Sequence, residues 1–181
     1  AYYSGIWENA INMDVAEAFL DELANRGITS FLVRTKNYHI PLSSRGLYAD
    51  HLQAAAMVSI HHNAPMIAPS SDPGAETFVQ SNSVKSARLG TLVYEAVYEA
   101  LDKFSWVQWT SQYDAGVIRV LNNRGTDTYG MMSRPKTPTT LIELAYLANP
   151  SEAKLLKSAE YLPAVSNALA DAVEEFLQTP S

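Results

Sequence analysis

Thr139-Thr140-Leu141-Ile142-Glu143-Leu144-Ala145-Tyr146-Leu147-Ala148-Asn149-Pro150 is an apolar run with one carboxylate in its middle. Pro138 bounds it on one side and Asn149-Pro150 on the other. Such a run between turn residues reads as a buried strand. A Glu inside it is costly unless it is paired or performs chemistry. Met57-Val58-Ser59-Ile60-His61-His62-Asn63 is a second apolar strand, and it ends in imidazoles. Ligands of α/β sheets gather beyond the carboxyl ends of the strands, and His61 and Glu143 both fall at or near such ends.

Around these two strands the pattern alternates. Residues 8–26 read as a helix, with Ile11, Val15, Phe19 and Leu23 recurring every four and Gly27 as its stop. Residues 28–34 read as a strand. Ser43 or Ser44 caps a helix running to about Ala55. Residues 63–74 are proline-rich loop, 75–80 a strand, and 83–103 a long amphipathic helix with Leu89, Val93, Val97 and Leu101 inward. Residues 104–116 read as irregular and carry Trp106, Trp109 and Tyr113; 117–121 read as a short strand, and Asn122-Asn123-Arg124-Gly125 as a turn. Asn149-Pro150-Ser151-Glu152 has the order of a helix start: a capping Asn, Pro in the first turn, then an acid. A last helix is expected near 160–177. Strands alternating with helices predict a single layered α/β domain, with a mostly parallel mixed sheet flanked by helices.

The bulk properties narrow the function. A chain of 181 residues, 47% hydrophobic and 18% charged, is long enough for one domain with a full core. A net charge of -6 with scattered basic residues argues against nucleic acid as a partner. The absence of cysteine excludes disulfides and thiolate zinc sites. No apolar run reaches membrane-spanning length.

Taken singly, the candidate residues stay ambiguous. Glu143 reads either as the partner of a buried Arg, such as Arg34, Arg45 or Arg119, or as a general base whose pKa burial has raised. Because side chains alternate along a strand, at most one of His61 and His62 faces a given site. Glu8 suits a first helical turn on dipole grounds alone. Trp7, Trp106 and Trp109 read as core or loop packing, with a sugar-stacking surface as the alternative.

In combination these segments resemble the zinc-dependent N-acetylmuramoyl-L-alanine amidases of bacterial cell walls, in the type 3 catalytic-domain class. The resemblance runs from Glu8 to about Phe176. It rests on Glu8-Asn9-Ala10-Ile11-Asn12-Met13-Asp14-Val15-Ala16, on Val33-Arg34 with Leu42-Ser43-Ser44-Arg45, and on Ser59-Ile60-His61-His62-Asn63. Gly74-Ala75-Glu76-Thr77 and the run from Leu141 to Asn149 complete it. Two positions depart mildly: Asn37 stands where the family often has Asp, and Ala145-Tyr146 replaces Gly-Phe. The resemblance implies that Glu8 and His61 are zinc ligands and that Glu143 is the catalytic acid/base. It also implies peptidoglycan or its muropeptides as substrate and an extracytoplasmic, secreted cell-wall hydrolase; a monomer is expected. The family's first zinc ligand is a His in an Asp-Pro-Gly-His segment ending the first strand, and only seven residues precede Glu8 here. The first strand and first ligand are therefore expected to be missing, with a gap or substitute element beside the His61 strand. His62, His39 and His51 are the candidate stand-ins. The competing expectation is a non-catalytic muropeptide-binding domain on the same fold.

Overall fold

The computed structural model describes residues 1–36, 38–64, 68–112 and 116–179. Asn37 and Tyr113, singled out above, lie outside the described residues. The chain opens with a hairpin, β1 (Tyr2–Tyr3) and β2 (Ile6–Trp7), which leads directly into α1 (Glu8–Asn25). Then come α2 (Leu42–His51), β3 (Met57–Asn63), β4 (Ala68–Ser70), β5 (Glu76–Val79) and α3 (Val84–Asp102). β6 (Trp109–Ser111), β7 (Gly116–Ile118), β8 (Thr139–Tyr146), α4 (Pro150–Leu156) and α5 (Tyr161–Gln178) complete the fold.

The central sheet has four strands in the order β3-β8-β5-β7. β3 runs parallel to β8 and β5 parallel to β7, whereas β5 opposes β8, so the sheet is mixed. The opening apolar run is β8, in the middle of the sheet, as its hydrophobicity on both faces requires. α1, α3 and α5 pack together over one face. Their buried stripes are Ile11, Val15, Phe19 and Leu23 on α1, Leu89, Val93, Val97 and Leu101 on α3, and Val165, Leu169, Val173 and Phe176 on α5.

Both ends of β8 are fixed by polar side chains. At its start, the amide of Thr139 donates to Gln80 Oε1 at 3.0 Å, and Asp50 on α2 accepts from the amides of Lys136 and Thr137 at 2.9 and 2.8 Å. At its end, Asn149 Oδ1 caps α4 by accepting from the amides of Ser151 and Glu152. Glu152 reaches back to accept from the amides of Tyr146 and Thr110 at 2.6 and 2.8 Å. The expected Asn-Pro-x-Glu helix start is thus present, and its acid also terminates the strand.

Two short strands, β4 and β6, pair where loop was expected, and three further expectations need correction. Residues 28–34 form no strand: they line a cleft on the free side of β3, with Phe31 largely exposed, and have no strand to pair with. A strand is made by its ladder, and an apolar pattern without a partner stays irregular. α2 begins at Leu42 after Pro41 with no side-chain cap, so neither Ser43 nor Ser44 is its cap. It also ends at His51, where Gln53 at φ 53° turns the chain, rather than at Ala55. The cleft beside β3 measures about 820 Å³ and runs between α1, residues 28–34, α2 and the edge of β3, ending at Glu8 and His61.

Candidate functional site

β3 and β8 lie side by side in parallel, with His61 in register with Glu143. β5 lies on the other side of β8, antiparallel, with Glu76 directly opposite Glu143. Three consecutive strands therefore carry His61, Glu143 and Glu76 in one row across the sheet. The fourth group, Glu8, is the first residue of α1, delivered by the β1–β2 hairpin. Its Oε1 lies 3.1 Å from His61 Nδ1. Its Oε2 accepts from the Ala1 nitrogen at 3.0 Å. The hydrogen bond with His61 is the largest effect on the Glu8 carboxyl and lowers its pKa, against the opposing effect of burial.

Glu143 is the opposite case. Its Oε2 is buried with no hydrogen-bond partner. Burial pushes its pKa up to about 7; the His61 charge pulls it down, and the Glu8 and Glu76 carboxylates push it up. Among the described residues Glu143 makes no ion pair. The Arg34 guanidinium instead donates to the carbonyls of Lys36 and Asn9, and Arg45 Nε to the carbonyl of Ile40. Of the two readings of this residue, the structural ion pair is thus without support among these residues.

His62 faces away from the site and is buried. Its Nδ1 lies 2.6 Å from Asn12 Oδ1 and its Nε2 2.7 Å from the Tyr161 hydroxyl. An amide oxygen only accepts, so Nδ1 carries the proton and Nε2 accepts from Tyr161. Burial drives the ring's pKa down to about 3, so it is neutral at working pH. Asn12 Nδ2 in turn donates to Glu8 Oε1 at 3.3 Å. His62 is therefore no stand-in ligand: both its nitrogens are used, and together with Asn12 it holds Glu8. His39 is exposed and borders the cleft, while His51 lies at the end of α2, outside the cleft lining.

Sequence reading passed over Glu76 as a functional group. It is buried, its Oε1 accepts from the Tyr146 hydroxyl at 3.0 Å, and Tyr146 in turn accepts from the amide of Gln112 at 2.8 Å. Burial raises its pKa, opposed by the Tyr146 bond. The available signal was the one used for Glu143, an acid inside a buried strand, Ala75-Glu76-Thr77-Phe78-Val79. Tyr129, packed edge-on against Phe78, also belongs to this region: burial and then the charges of Glu143 and Glu76 raise its phenol pKa.

Glu8 Oε1 and His61 Nδ1 are of the right type and close enough together to ligate one cation. The described residues contain no group of three or more His, Cys, Asp or Glu side chains able to hold a metal ion. The donor set is thus two ligands with an unpartnered carboxylate beside them. A single buried acid with a pKa near 7, next to a cation-ready pair, is suited to moving a proton to and from a substrate.

The family model described as N-acetylmuramoyl-L-alanine amidase matches residues 1–175. The chain is 27% identical over 175 residues to YqiI of Bacillus subtilis (strain 168), across 96% of this chain and 76% of YqiI. It is also 27% identical over 171 residues to the N-acetylmuramoyl-L-alanine amidase LytC of the same strain, across 93% of this chain but 31% of LytC, so it spans under a third of that relative. Among solved structures, the N-acetylmuramoyl-L-alanine amidase from Clostridium difficile 630 superposes with a TM-score of 0.78 at 20% identity, over 98% of this chain and 88% of that one.

Proposed function

From the premise that the chain belongs to the N-acetylmuramoyl-L-alanine amidase family, we propose that it hydrolyses the amide between the lactyl group of N-acetylmuramic acid and the L-alanine of a peptidoglycan stem peptide. The observation that carries this reading is the Glu143 carboxyl: buried, unpartnered at Oε2, and poised near pH 7 beside Glu8 and His61. Glu143 takes a proton from the attacking water and returns it to the departing alanine nitrogen, acting as base and then as acid. Glu8 and His61 would be two ligands of a zinc ion, with Asn12 and His62 fixing the orientation of Glu8. Zinc, when bound, polarises the scissile carbonyl and acidifies water.

A zinc site with more than two protein ligands needs a donor beyond those that the described residues bring together. The cleft beside β3 supports this: a further parallel strand seated there would pair with β3, and its carboxyl end would reach Glu8 and His61. That strand would also give residues 28–34 the partner they lack. The substrate places the protein outside the cytoplasmic membrane, and no helix of the described residues is long and apolar enough to cross one. A monomer is the expected working state.

The test is Glu143→Gln in the protein with its natural N-terminus. Gln keeps the size and polarity but cannot accept the water's proton. Release of stem peptides from purified peptidoglycan should fall by about a hundredfold or more, with the fold and zinc content retained. Unchanged release sinks the assignment. The two-donor set favours one second reading, a muropeptide-binding domain without turnover. Zinc analysis separates the two: stoichiometric zinc with peptide release supports the enzyme, and muropeptide binding without either supports the second.

A further inference from the structure

We infer that Tyr2 and Trp7 form an aromatic platform that binds the glycan side of the substrate, immediately beside the catalytic site. The inference rests on the amidase reading for the identity of its ligand.

The β1–β2 hairpin is short and tightly held. Tyr2 pairs with Trp7 and Tyr3 with Ile6, and the turn between them uses Ser4 at φ 52° and Gly5 at φ 77°. Two consecutive positive φ values give a two-residue turn whose twist matches the strands. The hairpin is anchored at both ends: Lys157 Nζ donates to the Ser4 carbonyl at the tip, and the amide of Glu8 donates to the Ala1 carbonyl at the base. Strand alternation then divides the side chains. Ile6 packs against the main core. Trp7, one residue on, points the other way and is 60% exposed; Tyr2, its cross-strand partner, is 53% exposed. The two rings lie 4.5 Å apart between centroids at an interplanar angle of 38°.

This arrangement differs from the other two tryptophans. Trp109 is buried at 5% exposure, and Trp106, 44% exposed, stands apart from other aromatic rings among the described residues, with Lys154 Nζ 5.0 Å from its centroid. A contiguous exposed aromatic pair is a feature that interaction sites share, whereas singly exposed apolar side chains are ordinary. The electron-rich faces of Trp and Tyr attract the polarised C–H groups on the apolar face of a pyranose, while the sugar hydroxyls stay in water. A platform held rigid by its own backbone loses little entropy on binding.

Position selects the ligand. Trp7 directly precedes Glu8, and the bond assigned to this site is attached to a sugar through one lactyl group. Whatever cleaves that bond has a glycan strand within one sugar's reach of the reacting carbonyl. The row His61, Glu143 and Glu76 runs away from Glu8 across the sheet, so the hairpin stands at one end of the site and the strand row at the other. The glycan lies on the hairpin and the stem peptide extends along the strand row.

The test uses a peptide-free N-acetylglucosamine hexamer as probe, so that binding is read without turnover. In the indole region of the ¹⁵N spectrum, one of three tryptophan signals should shift on titration, and Trp7→Phe should remove that signal. Trp7→Ala should weaken binding at least fivefold. Tyr2→Ala, which leaves the start of α1 untouched, should weaken it about as much, and Trp106→Ala should leave it unchanged. Equal affinity in the Trp7→Ala and Tyr2→Ala proteins, or a shift confined to the other indoles, overturns the inference. If the hexamer binds through Trp7 but no stem peptide is released from peptidoglycan by the protein with its natural N-terminus, the platform stands and the amidase reading falls. Release without hexamer binding does the reverse.

Discussion

Glu143 is held by what surrounds it rather than by a partner, and its stability effect follows. Its folded pKa of about 7 lies above the ordinary 4.5, so between those values the folded chain binds more protons than the unfolded one. Stability therefore falls as pH rises through that window, and the cost is complete above about 7. In the metal-free protein, Glu143→Gln removes this cost. Its advantage over the parent should be near zero at pH 4 and grow to roughly 2–3 kcal/mol at pH 8. Urea melts at both pH values check this, and an advantage independent of pH refutes it. The neutral His62 ring and Asn12 serve Glu8 in a different way, by fixing its direction. Asn12→Ala should weaken zinc binding by about tenfold to a hundredfold in the protein carrying all its ligands, with little change in fold. Calorimetry giving an unchanged affinity would mean that Glu8 needs no such support.

At the scale of elements, β8 matters because polar groups from other elements fix both of its ends. Asn149 is the most connected of its end groups. Its oxygen caps α4, and its Nδ2, with two N–H groups, lies within hydrogen-bonding distance of the Gln108 carbonyl, Thr110 Oγ1 and Glu152 Oε1. Asn149→Ala deletes the cap and strands buried acceptors, and should cost about 2–4 kcal/mol. Asn149→Asp keeps the cap oxygen but sets a second charge against Glu152, so it should rescue less than half. Thermal denaturation of the two variants tests this, and a loss under 1 kcal/mol for Asn149→Ala would show that α4 is held by packing alone. The same contacts explain how Glu152, wholly buried, is tolerated with a pKa pushed up to about 7: its oxygens meet N–H groups rather than apolar carbon alone.

At the scale of the molecule, β3 is an edge strand bordered by a cleft instead of a neighbour. Parallel pairing engages alternate residues, and the amide of Met57 bonds toward β8 at the Pro138 carbonyl. The amides of Val58 and Ile60 therefore point into the cleft. They should exchange with solvent much faster than those of Met57 and Ser59 when the cleft is open, and slow markedly when an upstream strand occupies it. Amide exchange followed by NMR on chains with and without the upstream segment decides this. Equal protection of the two sets in the shorter chain would mean that the cleft closes in solution.

The sequence by itself was enough for the elements whose patterns are local. The stripe of Ile11, Val15, Phe19 and Leu23, the doubly apolar run of β8 and the Asn149-Pro150 helix start each express a preference that neighbouring residues can satisfy. The buried Glu143 and the end of β3 were legible for the same reason, since a carboxylate or imidazole in an apolar run stands out without any partner being known. Tertiary structure decided everything that depends on a partner distant in sequence. Residues 28–34 have a strand's composition but lack a ladder. His61 and His62 are adjacent in sequence, yet α1 uses one through Glu8 and the other through Asn12. Glu76 became part of the site only when β5 was laid antiparallel against β8, opposite Glu143. Hydrophobic periodicity is written along the chain, whereas hydrogen-bond partners and the burial that shifts a pKa are properties of what the fold brings from elsewhere.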